Sequence, residues 1–112
     1  MSLHETDQIR KAAALLIVDL ANPPTQADLC EEVGLSEYRL RKGFREVFEA
    51  SIGAYLRKKR MERAAEILRS EDWGISAIAD EVGFLNASRF AEAFRNEFGV
   101  NPSDYREGNT NG

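Results

Sequence analysis

Tyr38, Arg41, Lys42 and Arg45 lie within one short stretch of this chain, at spacings that a helix would gather onto a single face. Leu40 and Phe44 fall on the opposite face, so the four polar residues should point outward together. Their chemistry is donation to electron-rich oxygens and nitrogens. Arg41 and Lys42 can donate to guanine O6 and N7, Tyr38 can pack on a thymine methyl or a sugar, and Arg45 suits a phosphate. Charge runs on helices are commonly just solvated faces. The neighbouring elements must therefore decide whether this face meets a partner.

Other chemistries find little support. The chain has no nucleophile–base pair, no metal-ligand cluster and no phosphate-cradling glycine loop, so neither an enzyme nor a cofactor is expected. The single cysteine, Cys30, has no partner for an internal disulfide or a thiolate zinc site and reads as a small core residue. No run of about 18 apolar residues could span a membrane, and the N-terminus lacks a signal-peptide stretch, so the expected location is the cytoplasm. The formal net charge of −4 opposes binding to phosphates, but its distribution is uneven. Residues 36–63 hold 9 basic and 4 acidic side chains, whereas residues 1–35 hold 2 and 6, and residues 64–112 hold 4 and 9.

The elements that would present these side chains are all helical. With 112 residues and 43% hydrophobic composition the chain makes one domain; prolines occur only at 23, 24 and 102, and no strand-like alternation is present. A first helix is expected over 6–21, with Ile9, Ala13, Leu16, Ile17 and Leu20 inward and Asn22-Pro23-Pro24 as its stop. Thr25 should cap a second helix, with Asp28 completing a capping box, and Ser36 should cap a third that lasts to about Glu49. A long amphipathic helix follows over roughly 52–70, with Ile52, Tyr55, Leu56, Ala64, Ile67 and Leu68 inward.

The chain then repeats itself. Leu29, Cys30, Val33 and Gly34 recur 49 positions later as Ile78, Ala79, Val82 and Gly83. After a one-residue insertion, Leu40, Phe44, Phe48 and Tyr55 recur 50 later as Phe90, Phe94, Phe98 and Tyr105. Each copy is a short helix, a glycine-bearing turn and a longer helix, the pattern of a helix-turn-helix unit. The first unit is placed at about 6–50 and the second at about 75–106. In the second, Ile75, Ile78-Ala79, Gly83-Phe84, Ser88, Phe90, Phe94-Arg95, Phe98-Gly99, Pro102 and Tyr105-Arg106 closely resemble the signature of the AraC/XylS family of transcription regulators. The first unit fits through Leu29, Gly34-Leu35-Ser36, Leu40, Phe44-Arg45 and Tyr55-Leu56…Arg60. The resemblance implies a seven-helix fold in which two helix-turn-helix subdomains, joined by the long helix, bind consecutive major-groove segments of double-stranded DNA. It also implies a separate effector or dimerisation domain. Independently, a linker of about 19 residues spans roughly 28 Å, near the one-turn spacing of about 34 Å between successive major grooves.

The 50-residue offset puts Ser88, Ala91, Glu92 and Arg95 where the first unit has Tyr38, Arg41, Lys42 and Arg45. This face is less basic than is common in the family, and Glu92 can only accept, as from cytosine N4. Asn86 should cap its helix, and Asn86 and Arg89 are candidate phosphate contacts. The alternative function is a protein-interaction module whose acidic second unit docks on a partner such as RNA polymerase. Trp73 is expected to fill space between the linker and the second unit. Asn101-Pro102 should open a last short helix, with Tyr105 packing back and Arg106 assigned first to structure, otherwise solvated or near phosphate. Met1-Ser2-Leu3, His4 and the stretch 108–112 are expected outside the fold. Met1-Ser2-Leu3 reads as an added start, and the chain as the C-terminal output piece of a longer regulator that carries its effector domain elsewhere.

Overall fold

The computed structural model describes residues 1–111, with side chains to Gly108. Over these residues the chain is all-helical, running α1 (Leu3–Leu16), α2 (Gln26–Val33), α3 (Glu37–Phe48), α4 (Ile52–Ser70), α5 (Ile75–Glu81), α6 (Ala87–Phe98) and α7 (Pro102–Asn111). Two compact units divide it, Met1–Arg57 and a second that begins at Lys58, so the boundary falls inside the continuous helix α4.

Most helix starts follow from local side-chain chemistry. Thr25 Oγ1 accepts from the Asp28 N–H at 3.0 Å while the Asp28 carboxylate accepts from the Thr25 N–H at 3.2 Å, the reciprocal box expected for α2. Ser36 Oγ caps α3 through the Arg39 N–H, and Asn86 Oδ1 caps α6 through the Arg89 N–H. Pro102 opens α7, where its missing N–H costs nothing.

The first helix departs from its expected bounds of 6–21. Ser2 Oγ accepts from the Glu5 N–H at 3.1 Å, so α1 is already capped at Ser2, and Leu3 and His4 belong to its first turn instead of an unfolded end. At the other end Asp19 draws the chain into a turn. Its carboxylate accepts from the Ala21 N–H at 3.1 Å and from the Asn22 side chain at 3.2 Å, which competes with further helical bonding and stops α1 at Leu16. Leu20 is consequently half-buried, off the helix whose inner face it was expected to share. α7 likewise extends to Asn111, past the residue 108 at which an aperiodic tail was expected; Gly112 lies outside the described residues. Trp73 is 36% exposed and does not fill the core. The loop it occupies is held through its backbone instead. Arg106 donates to the carbonyls of Leu68, Glu71 and Trp73 at 3.3, 3.5 and 2.7 Å, so one guanidinium ties the last turn of α4 to the loop that follows it.

Each unit has its own core. Ile9, Ala12, Ala13, Leu16, Leu29, Leu40, Phe44 and Ile52 lie in the first, and Met61, Ala64, Ala65, Leu68, Ile78, Phe90 and Phe94 in the second. The repeat extends further than the helix-turn-helix pattern. Ile9, Ala12, Ala13 and Leu16 of α1 recur 52 positions later in α4 as Met61, Ala64, Ala65 and Leu68, and all eight are buried. Helix α4 therefore plays two parts. Its first turns, through Ile52, Tyr55 and Leu56, close the first core as α7 closes the second, and its remainder opens the second core as α1 opens the first. The rings match as well. Phe44, Phe48 and Tyr55 meet at centroid distances of 4.8, 5.2 and 4.8 Å, and Phe94, Phe98 and Tyr105 at 4.5, 5.3 and 5.5 Å.

Two positions expose the limits of the repeat. Glu49 ends α3 in the left-handed region at φ 56°, the place Gly99 holds after α6 at φ 78°. A side chain there crowds the following carbonyl, so Glu49→Gly should raise stability by about 1 kcal/mol, read from the denaturant midpoint at unchanged slope. Gly43, inside α3, is different. A Cβ on it would stand 2.6 Å and 2.8 Å from Cδ1 and Cγ1 of the buried Ile9. Gly43→Ala should therefore lower stability by about 1–2 kcal/mol despite alanine's higher helix propensity, whereas Gly53→Ala, which meets no atom, should not.

Candidate nucleic-acid interface

Helix α3 buries Leu40, Gly43 and Phe44, which leaves Tyr38, Arg41, Lys42 and Arg45 on its exposed side as the helical spacing predicts. Tyr38 keeps 66% of its surface in solvent, unusual for so large a ring. One turn on, Lys42 Nζ stands 5.8 Å from the centroid of that ring, a cation–π approach that biases where the ammonium sits. Arg41 Nη1 lies 3.9 Å from Glu37 Oε2, with both side chains more than half exposed. A pair this long and wet restrains little, so the guanidinium can be redirected to a ligand at small cost. Arg45 is exposed in the last turn. The face thus carries three cations and one aromatic with no buried ion pair to hold them back.

Arg39 has no part in the expected face. Its Nη1 lies 3.2 Å from Glu5 Oε1, so it bridges α3 to α1. No local pattern signals this pair, because its members stand 34 residues apart.

In the second unit α6 buries Phe90 and Phe94 and exposes Ser88, Arg89, Glu92 and Arg95, with Ala91 half-buried between them. Asn86 is exposed too, but its Oδ1 is committed to the Arg89 N–H at 2.9 Å. Arg95 is also engaged, as its Nη1 donates to Asn101 Oδ1 at 2.9 Å and ties α6 to the start of α7. The Asn101 carbonyl accepts from the Tyr105 N–H, so Asn101 holds the cap position of α7 while its side chain serves Arg95. All nine candidate residues are exposed, and they group as two faces, one on α3 and one on α6. The faces differ in charge: Lys42 on α3 corresponds to Glu92 on α6. Arg60 in α4 takes another role, with its guanidinium 5.9 Å from the Phe84 centroid and its pKa lowered by burial.

A family profile described as "Helix-turn-helix domain" matches residues 29–108. The regulatory protein SoxS of Salmonella typhimurium is 36% identical over 78 residues, which cover 70% of this chain and 73% of SoxS. The regulatory protein PocR of the same organism is 31% identical over 100 residues, 89% of this chain but only 33% of PocR. The chain thus spans about a third of the longer relative. Among solved structures, a DNA-binding transcriptional dual regulator from Escherichia coli K-12 superposes with a TM-score of 0.81 at 27% identity, covering 94% of each chain.

Cys30 lies half-buried on α2, packed against the first core. Burial raises its thiol pKa, the nearby Glu37 charge raises it further, and Arg41 opposes both. Less thiolate is therefore present at any given pH than in an unperturbed thiol. Alkylation by iodoacetamide near pH 8 should be slower than that of a free cysteine, with the rate still climbing at pH values where the free thiol has levelled off. A rate equal to that of the free thiol would show the site to be unperturbed.

Proposed function

The chain belongs to the AraC/XylS-type family of helix-turn-helix regulators, and from that premise we propose that it is the sequence-specific DNA-binding domain of a bacterial transcription regulator, working in the cytoplasm. Helices α3 and α6 enter consecutive major-groove segments of double-stranded DNA, one from each unit. The observation that carries this reading is the exposed face of α3, where Tyr38, Arg41, Lys42 and Arg45 stand together opposite a fully buried Phe44. Arg41 and Lys42 act as donors to guanine O6 and N7, Tyr38 packs on a thymine methyl or sugar, and Arg45 holds a phosphate.

The second unit contributes differently. With Glu92 in the place of Lys42, and with Arg95 and Asn86 engaged within the unit, α6 has little electrostatic affinity to offer. Ser88 and Arg89 remain for base-edge and phosphate contact, and Glu92 can accept from cytosine N4. The first unit supplies most of the affinity, and the second supplies register. The acidic side chains of residues 64–112 also suit a contact with a basic surface on RNA polymerase, which would leave the basic face of α3 for DNA.

Mobility shift on a site selected from random DNA tests this division. Arg41→Ala and Lys42→Ala should each weaken binding by about 1–3 kcal/mol, whereas Glu92→Ala should leave affinity unchanged or raise it. Footprinting should show two adjacent protected segments about one helical turn apart, in an asymmetric site. Equal losses on α3 and α6, or protection of a single groove segment, would contradict the proposal.

A further inference from the structure

From the turn glycine to the helix cap the second unit is one residue longer than the first, Gly83 to Asn86 against Gly34 to Ser36. In the first unit Gly34 and Leu35 lead to the cap Ser36, and Leu35 is 9% exposed, plugging the core beneath the turn. In the second, Gly83 and Phe84 are followed by Leu85 before the cap Asn86. Phe84 does the work of Leu35, since it is half-buried and its ring stands 5.8 Å from that of Phe90. Leu85 is therefore the inserted residue, and it has no place in the core. At 86% exposure it is the most solvent-exposed of the large apolar side chains in the described residues.

An isolated exposed leucine needs no explanation by itself. Its position gives this one meaning. It directly precedes the cap of a 12-residue helix whose N-terminal residues, in a helix-turn-helix unit, are those brought to base edges. The same helix has few other means of reading bases, because Ser88 and Ala91 are small, Glu92 repels phosphate, Asn86 and Arg95 are engaged, and the exposed Arg89 is assigned to a phosphate. The major groove offers one apolar feature, the C5-methyl of thymine.

We propose that Leu85 is a specificity-determining residue, packing on a thymine methyl in the groove segment occupied by α6, so that the acidic second unit selects its sequence through apolar contact. This inference rests on the DNA-binding reading above and deepens it.

Deoxyuridine scanning tests it with the full chain. Each thymine of the selected site is replaced in turn by deoxyuridine, which removes only the methyl group, and affinity is measured for the wild type and for Leu85→Ala. At one thymine in the α6 segment, replacement should weaken the wild type by about fourfold, the burial free energy of one methyl group. Leu85→Ala should bind the thymine site about as weakly as the wild type binds the uracil site, and should be indifferent to the replacement. The substituted residue is exposed and uninvolved in either core, so the variant should fold, which circular dichroism and retained protection of the α3 segment would establish. A wild type indifferent to every uracil in the α6 segment overturns the role of Leu85 while leaving DNA binding intact. So does a variant that keeps the wild-type sensitivity. Failure to select any site overturns the DNA-binding reading, and the role of Leu85 with it.

Discussion

The burial of Phe44 and Phe94 is the interaction on which each unit depends. Both rings are fully removed from solvent, and each lies at the centre of an aromatic group that joins a recognition helix to the helix after it. A phenylalanine buried in this way fixes the rotation of its helix about the axis, because turning the helix by even one position would bring a charged neighbour inward at a cost of several kcal/mol. The polar face on the other side is exposed as a consequence. What α3 and α6 can present to a ligand is thus decided on the faces that never meet one.

Helix α4 resolves a difficulty of size. A unit of 55 to 60 residues buries only about 60% of the surface its unfolded chain exposes and is marginal alone. Here one continuous 19-residue helix serves both cores, Ile52 and Tyr55 in the first and Met61, Ala64, Ala65 and Leu68 in the second. Each core thereby gains a helix without a separate element and loop. The duplicated alanines, Ala12-Ala13 and Ala64-Ala65, sit at equivalent buried positions and let neighbouring helices approach closely. Gly43 does the same for α1 against α3, where no space remains for a methyl group beside Ile9.

With scaffolds this alike, the two units differ chiefly at their surfaces. The exposed face of α3 carries cations, and that of α6 carries Ser88 and Glu92, with Arg95 bonded to Asn101. A net charge of −4 is compatible with DNA binding under such an arrangement, because counterion release depends on the cations that reach phosphates and not on the total. Acidic side chains elsewhere limit nonspecific attraction to a polyanion.

The sequence alone determined the helical class, the tandem units, the caps at Thr25, Ser36 and Asn86, the bounds of α4 and the face shared by Tyr38, Arg41, Lys42 and Arg45. All of these rest on spacing along one helix or on bonds between near neighbours, and such terms are local. Even the end of α1 was local in origin, since Asp19 can be read as a turn residue once its bonds to Ala21 and Asn22 are known. Only the tertiary structure decided the rest. It tied Arg39 to Glu5, set Arg106 on the end of α4, left Trp73 at the surface and divided one amphipathic helix between two cores. The bonds of Arg39 and Arg106 join residues more than 30 positions apart, and the division of α4 is a choice between two cores able to bury the same stripe. Periodicity reports that a face is buried; it carries no information about what covers it.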